Sequence, residues 1–265
     1  MALMHCCFYS PSLGSNTSMN VIIPTIQGGE QINDTQVQAK YNYEKGLPLA
    51  ILLHGAYGNA DSWIRNSNVE RYAQARGLAV VMVSAENSFY QNMVHGHPYK
   101  SFIIDEVLPL VQNLYPVSKR PEDTFIGGFS MGGYGAWYLG MSAPDKFSKA
   151  ASMSGALDLP AMVAMGDRPG GPAIWENIFG AQRNIAGTES DLMYLYDRCV
   201  KNGKVPSLYQ SCGTEDFLYP TNAAMRDCLQ AKGADLFYSE GTGHHDWDFW
   251  DDRIKEMFDW MLGMK

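Results

Sequence analysis

Apolar residues fall along this chain in short runs, and most of the runs are apolar at nearly every position. LAILLHG (49–55), LAVVMVS (78–84), DTFIGGFS (123–130), KAASMSG (149–155), PSLYQSCG (206–213) and ADLFYSE (234–240) are of strand length and predict strands. A run that is apolar on both faces predicts a strand covered by helices on both sides, as in a parallel sheet. Ahead of them, ALMHCCFYS and SMNVIIP predict an antiparallel pair with residues 14–17 in the turn.

Between these runs the apolar spacing lengthens to that of helices. NVERYAQARG ends on Gly77, a residue suited to a helix C-terminus. SFIIDEVLPLVQNLYP spaces Phe102, Leu110 and Leu114 helically, with a bend expected at Pro109 and a stop at Pro116. TNAAMRDCLQAKG predicts a helix opening at a Thr221 cap and ending on Gly233, and DFWDDRIKEMFDWMLGM predicts a closing amphipathic helix. Strand alternating with helix predicts an α/β fold with a mainly parallel sheet of about eight strands. No Pro/Gly/Ser-rich linker and no repeat divides the chain, so residues 1–265 are expected to form one domain. Residues 156–200 break the rhythm and predict an inserted, lid-like helical segment. Within it Leu192, Leu195, Tyr196 and Cys199 form a helical face expected to pack in the core.

Composition narrows the class. Apolar residues make up 46% and charged residues 18%, enough for a large core, and the net charge is −8 without any Lys/Arg block. Nucleic acid and polyanionic substrates are therefore disfavoured as partners. The first residues lack a basic segment followed by a full apolar stretch, and no run reaches the ~20 apolar residues of a membrane span, so a cytoplasmic protein without membrane partners is expected. Five cysteines (Cys6, Cys7, Cys199, Cys212, Cys228) form no C-x-x-C pair and are expected to be buried free thiols. His95, His97, His244 and His245 lack carboxylates at ligand spacing, so no metal is expected.

The candidate chemistry begins at GFSMG, residues 128–132, a G-x-S-x-G pattern between a strand and a helix. That context is the one in which the pattern forms a nucleophile elbow, with Ser130 on a strained turn. A serine hydroxyl is a weak nucleophile at neutral pH. It needs a base, a group that orients the base, and donors for the developing oxyanion. LLHGAYGNADSW (52–63) breaks a buried strand at His54-Gly55 and offers the Ala56 N–H beside that of Met131 as the oxyanion pair. His54 itself is expected to shape this loop through hydrogen bonds. LYQSCGTEDFLYP (208–220) supplies Glu215 and Asp216, with Asp216 favoured by its apolar neighbours Phe217 and Leu218, and GTGHHDWDFW (241–250) supplies His244 and His245. The order serine, acid, histidine is that of α/β-hydrolases.

Taken together, LLHGAYGNADSW, GGFSMGGYGAW, CGTEDFL and GHHDWDFW resemble the tributyrin-esterase branch of the esterase D / feruloyl esterase family, with mycolyl-transferring secreted antigens more distant. The resemblance spans nearly the whole chain. It implies an α/β-hydrolase fold with Ser130 as nucleophile, Asp216 as acid and His245, which precedes x-Trp-x-x-Trp, as base. It further implies a serine carboxylesterase acting by way of an acyl-enzyme, with no metal or organic cofactor. Tyr57 and Trp63 on the oxyanion loop and Trp175 in the insertion are the expected substrate-binding residues. Met162, Met165, Trp175, Phe179, Met193 and Tyr194 in a short lid point to small esters with short-chain acyl or hydroxycinnamoyl groups. S-formylglutathione hydrolysis, acyl transfer and a non-catalytic binding scaffold are the alternative functions.

Overall fold

The central apolar runs fold side by side because none of them has a face that tolerates water. In a computed structural model, which describes residues 1–26, 41, 43–167, 173–181 and 184–264, they form one eight-stranded sheet. The strands are β1 (Ala2–Ser10), β2 (Ser15–Ile23), β3 (Leu49–Leu53), β4 (Ala79–Val83), β5 (Thr124–Phe129), β6 (Lys149–Met153), β7 (Ser207–Gly213) and β8 (Leu236–Gly241). Their order is β1-β2-β4-β3-β5-β6-β7-β8. β1 with β2 and β2 with β4 are antiparallel, and all other pairs are parallel. Strands β3, β4 and β5 are buried at every residue, as two-sided helix cover requires. β1, at the sheet edge, alternates exposed with partly buried residues. The first turn occupies residues 11–14 and β2 begins at Ser15, one residue beyond Gly14, whose φ of 60° suits a glycine; the expected turn at 14–17 is therefore shifted.

Helices α1 (Ser62–Asn66) and α2 (Val69–Arg76) follow β3, and Gly77 ends α2 at a left-handed φ of 64°. After β4, the expected bent helix is a continuous helical path with a wide π-turn over Phe102–Val107 leading into α3 (Leu108–Leu114). Pro109 lacks the N–H that an α-turn would place on Asp105, and the wider turn accommodates that loss just ahead of it. α4 (Met131–Ser142) follows β5 and is buried at every residue from Met131 to Met141. α5 (Leu159–Met165), α6 (Ile174–Phe179) and α7 (Leu192–Lys201) lie between β6 and β7. Parts of the expected insertion, residues 168–172 and 182–183, lie outside the described residues. On α7 the buried residues are Leu192, Leu195, Tyr196 and Cys199, the expected core face. α8 (Tyr219–Ala231) begins two residues before Thr221, with Pro220 in its first turn, so Thr221 is not the cap. α9 (Trp247–Leu262) is capped by the Asp246 side chain, which accepts from the Phe249 N–H at 3.2 Å.

Two core layers flank the sheet. One gathers Ile51, Val81, Ile126, Trp137 and Leu139 under α4; the other gathers Leu52, Trp63, Phe129, Ile254 and Phe258 under α2 and α9. All five cysteines are free, but Cys7 and Cys228 are exposed, against the expectation of burial, because β1 is an edge strand and Cys228 faces outward on α8. Among the described residues no helix is long and apolar enough to cross a membrane.

Candidate active site

The carboxyl ends of β3, β5, β7 and β8 carry the candidate residues into one place, which is where open parallel sheets bind ligands. Ser130 lies between β5 and α4 at φ 55° and ψ −120°. A non-glycine residue there costs about 1–3 kcal/mol and persists only where its surroundings hold it. The surroundings do so from both sides. The Ser130 N–H donates to Met153 O at 2.9 Å, and its carbonyl accepts from Ala156 N at 3.1 Å and Gly133 N at 3.0 Å. The motif glycines are a steric need. A Cβ on Gly128 would sit 2.3 Å from Gly132 O, and one on Gly132 2.4 Å from Leu53 O.

Ser130 Oγ lies 2.9 Å from His245 Nε2, and His245 Nδ1 lies 2.8 Å from Asp216 Oδ2. The Asp216 side chain is fully shielded from solvent while His245 is slightly exposed. Burial pushes the Asp216 carboxyl up, but hydrogen bonds from His245 and the Leu218 N–H, with the Ser154 hydroxyl beside it, outweigh burial and hold it below the usual carboxylate range. An ionised Asp216 only accepts, so Nδ1 carries the proton and Nε2 is left to accept from Ser130 O–H. The other candidates separate cleanly. His244 and Glu215 meet each other at 3.3 Å on the surface, both largely exposed, outside the Ser130 chain of contacts.

His54 is fully buried, and burial pushes its pKa down, so it is neutral. Its Nε2 accepts from the Ala85 N–H at 2.9 Å, which leaves Nδ1 to donate to Gly55 O at 2.7 Å. The Gly58 N–H donates to the same carbonyl at 3.1 Å, and the Tyr90 hydroxyl donates to His54 O at 2.7 Å. In a trans peptide the C=O and N–H point opposite ways. Fixing the Gly55 carbonyl on the His54 side therefore turns the Ala56 N–H the other way. Among the described residues neither the Ala56 nor the Met131 N–H has a protein acceptor. Met131 also opens α4, whose N-terminus carries positive potential.

A cavity of about 390 Å³ opens over Ser130, lined by the loop Gly55–Gly58, by Phe217 and His245, and by Phe129, Trp247 and Trp250. Tyr57, one of the residues expected at the substrate, lines it. Trp63 does not: it is fully buried, its indole N–H donates to Leu53 O at 3.2 Å, and it packs edge-on against Phe129 at 5.2 Å. Trp175 is also absent from the lining, since it is buried against Phe89 at 4.8 Å. Both rings were expected at the substrate; both serve the core instead. The remaining walls, Phe129, Phe217, Trp247 and Trp250, were not among the expected site residues, and the signal for two of them was the x-Trp-x-x-Trp that follows His245. The imidazole stands between Phe217 and Trp250, at ring distances of 4.7 and 5.0 Å. No group of three or more metal-ligating side chains occurs among the described residues.

A mainly parallel sheet with a serine at a strained strand–helix turn, and a histidine and carboxylate from later strand ends, defines an α/β-hydrolase. The sequence model of the Esterase family, described as "Putative esterase", matches residues 33–261, and the chain belongs to that family. It is 32% identical over 273 residues to an acetyl esterase of Caldicellulosiruptor saccharolyticus, covering 98% of each chain. Among solved structures it is similar to substrate-bound FphF, a fluorophosphonate-binding serine hydrolase of Staphylococcus aureus, with a TM-score of 0.87, 33% identity and 98% of each chain covered. A structure titled S-formylglutathione hydrolase (FrmB), also from Staphylococcus aureus, matches with a TM-score of 0.83 at 33% identity over 98% of each chain. The chain is accordingly an enzyme of the serine hydrolase class.

Proposed function

We propose that this enzyme is a carboxylesterase that cleaves small esters of short-chain acyl or hydroxycinnamoyl groups, with Ser130, His245 and Asp216 as its catalytic triad. The observation that carries the reading is the chain of two hydrogen bonds, 2.9 and 2.8 Å, running from a strained serine to a shielded carboxylate. Ser130 Oγ attacks the ester carbonyl as its proton passes to His245 Nε2. The carbonyl oxygen becomes an oxyanion held by the Ala56 and Met131 N–H groups. Collapse breaks the bond to the alcohol, which leaves with the proton from Nε2. Water then attacks the acyl-enzyme by the same route and frees the acid and Ser130. Asp216 stays ionised throughout and stabilises the imidazolium.

The aromatic walls and the cavity volume of about 390 Å³ support a compact acyl group over a long lipid chain. The chain acts as one α/β-hydrolase domain, with the described helices between β6 and β7 as its insertion. Its free, exposed thiols Cys7 and Cys228 support a reducing compartment, the cytoplasm. S-formylglutathione hydrolysis is the second reading, favoured by the 33% identical neighbour of that title. Against it, no Lys or Arg lines the described cavity, whereas a glutathione thioester brings carboxylates that would need cations. Steady-state kinetics on acetyl, butyryl, octanoyl, palmitoyl, feruloyl and formylglutathione substrates test the choice. Short acyl or feruloyl esters should dominate; equal rates from acetyl to palmitoyl, or activity confined to formylglutathione, would overturn it.

A further inference from the structure

Two large rings stand in solvent at the mouth of the catalytic cavity. Tyr57 is 77% exposed and Phe217 73% exposed, and both line the same cavity as Ser130 and His245. Exposure of this size gives a ring no role in the core. Tyr57 is nonetheless held on a strained backbone, at φ 64°, with its N–H donating to Asn87 Oδ1 at 2.7 Å. Left-handed backbone at a bulky residue is costly and points to a use for the side chain it presents. Phe217 directly follows Asp216, and its ring rests against the His245 imidazole with centroids 4.7 Å apart, leaving most of the ring in water.

Topology sets the two rings on opposite sides of the nucleophile. Tyr57 rises from the loop after β3, next to β5 on one side, and Phe217 from the loop after β7, two strands away on the other. The reaction fixes which half of an ester meets them. The departing oxygen takes its proton from His245 Nε2, so the group attached to that oxygen leaves on the His245 side, where Phe217 stands. The acyl carbon stays bonded to Ser130 Oγ with its oxygen toward Ala56 and Met131, so the acyl chain is not the half that departs past His245. Charge does not enter, because the described lining contains no Lys or Arg.

We infer that Phe217 forms an aromatic platform for the alcohol half of the substrate, and that the enzyme selects esters whose alcohol carries a flat aromatic ring. The inference rests on the esterase reading and adds the leaving-group class to it. A ring stacked on one aromatic face is stabilised by about 0.5–1.5 kcal/mol beyond its buried area, which corresponds to roughly a two- to twelvefold preference.

The test compares kcat/KM for benzyl acetate and cyclohexylmethyl acetate, which share the acyl group and have leaving groups of similar size and basicity but differ in flatness. The wild type should favour the benzyl ester by about two- to twelvefold, as one stacked face implies. Phe217→Leu keeps apolar bulk and removes the flat face, so the ratio should fall toward unity; Phe217→Tyr should retain it. A wild-type ratio near unity overturns the platform while leaving the esterase reading intact. So does a Phe217→Leu enzyme that slows on both esters by the same factor, because Phe217 would then act through His245 alone. If neither acetate nor any other ester is hydrolysed, the esterase reading fails first.

Discussion

Replacing His54 with Phe tests how the oxyanion loop is held. Phe keeps the ring and approximate volume of a side chain packed 5.9 Å from Tyr90, and removes both ring nitrogens. The Ala85 N–H loses its acceptor in the interior, which costs about 1–3 kcal/mol. Loss of the Nδ1–H bond to Gly55 O adds about 1 kcal/mol, with the Gly58 N–H still satisfying that carbonyl. The sum, about 2–4 kcal/mol, is a large part of the 5–15 kcal/mol typical of a folded domain and should lower Tm by about 5–15 °C. The Gly55–Ala56 peptide then has one anchor instead of two. Removing an oxyanion donor outright costs 10²–10³ in kcat, so a loosened donor should cost about tenfold, with KM little changed. Thermal unfolding by circular dichroism and kcat on p-nitrophenyl acetate at a temperature where the variant is folded check both numbers. An unchanged Tm would refute the burial argument, and a lowered Tm with unchanged kcat would refute the link from His54 to Ala56. A loss of activity as complete as that of a Ser130 variant would make His54 a participant in the chemistry.

Other outcomes follow from the same geometry. Ser130→Ala, His245→Ala and Asp216→Asn should each lower kcat by about 10³-fold or more and be strongly non-additive in pairs, whereas His244→Ala, on the exposed Glu215 pair, should change kcat less than about threefold; the reverse ranking of the two histidines in initial-rate assays would contradict the assignment. Trp175→Ala should act on stability, by about 3–5 kcal/mol, because its ring is buried on Phe89, and a changed acyl preference without a Tm loss would return it to the substrate site. Stability should decline toward acid: His54, neutral in the fold, lets the unfolded chain take up a proton below about pH 6.5 while the folded chain does not, and Asp216, held below the usual range, loses its contribution as pH falls through and below about 3.9. A Tm that rises between pH 7 and 5.5, or a His54→Phe enzyme with the same slope there, would contradict this.

Much of the site was legible because its requirements are local. G-x-S-x-G encodes contacts that a single Cβ would break, and Asp216 and His245 sit in the loops directly after β7 and β8. The residues alone favoured Asp216 over Glu215 through its apolar neighbours but left His244 and His245 undecided, because these two differ in burial, and burial comes from strands and rings distant in sequence. The substrate walls were misread for the same reason. Trp63 and Trp175 are aromatic residues near motifs, but Trp63 has an indole N–H satisfied by Leu53 O and Trp175 a partner in Phe89, contacts that only the folded sheet creates. Trp250 lies five residues past His245, one helical turn into α9, and so returns beside the imidazole at 5.0 Å.

The central claim is that Ser130 is the nucleophile and that His245 activates it. Its most direct measurement is intact-mass and peptide mass spectrometry of the enzyme after brief exposure to a fluorophosphonate probe. One adduct should form, on the peptide carrying Ser130, absent from Ser130→Ala and slowed at least about a hundredfold in His245→Ala. An adduct on another residue, or equal labelling of the Ser130→Ala protein, would contradict the account.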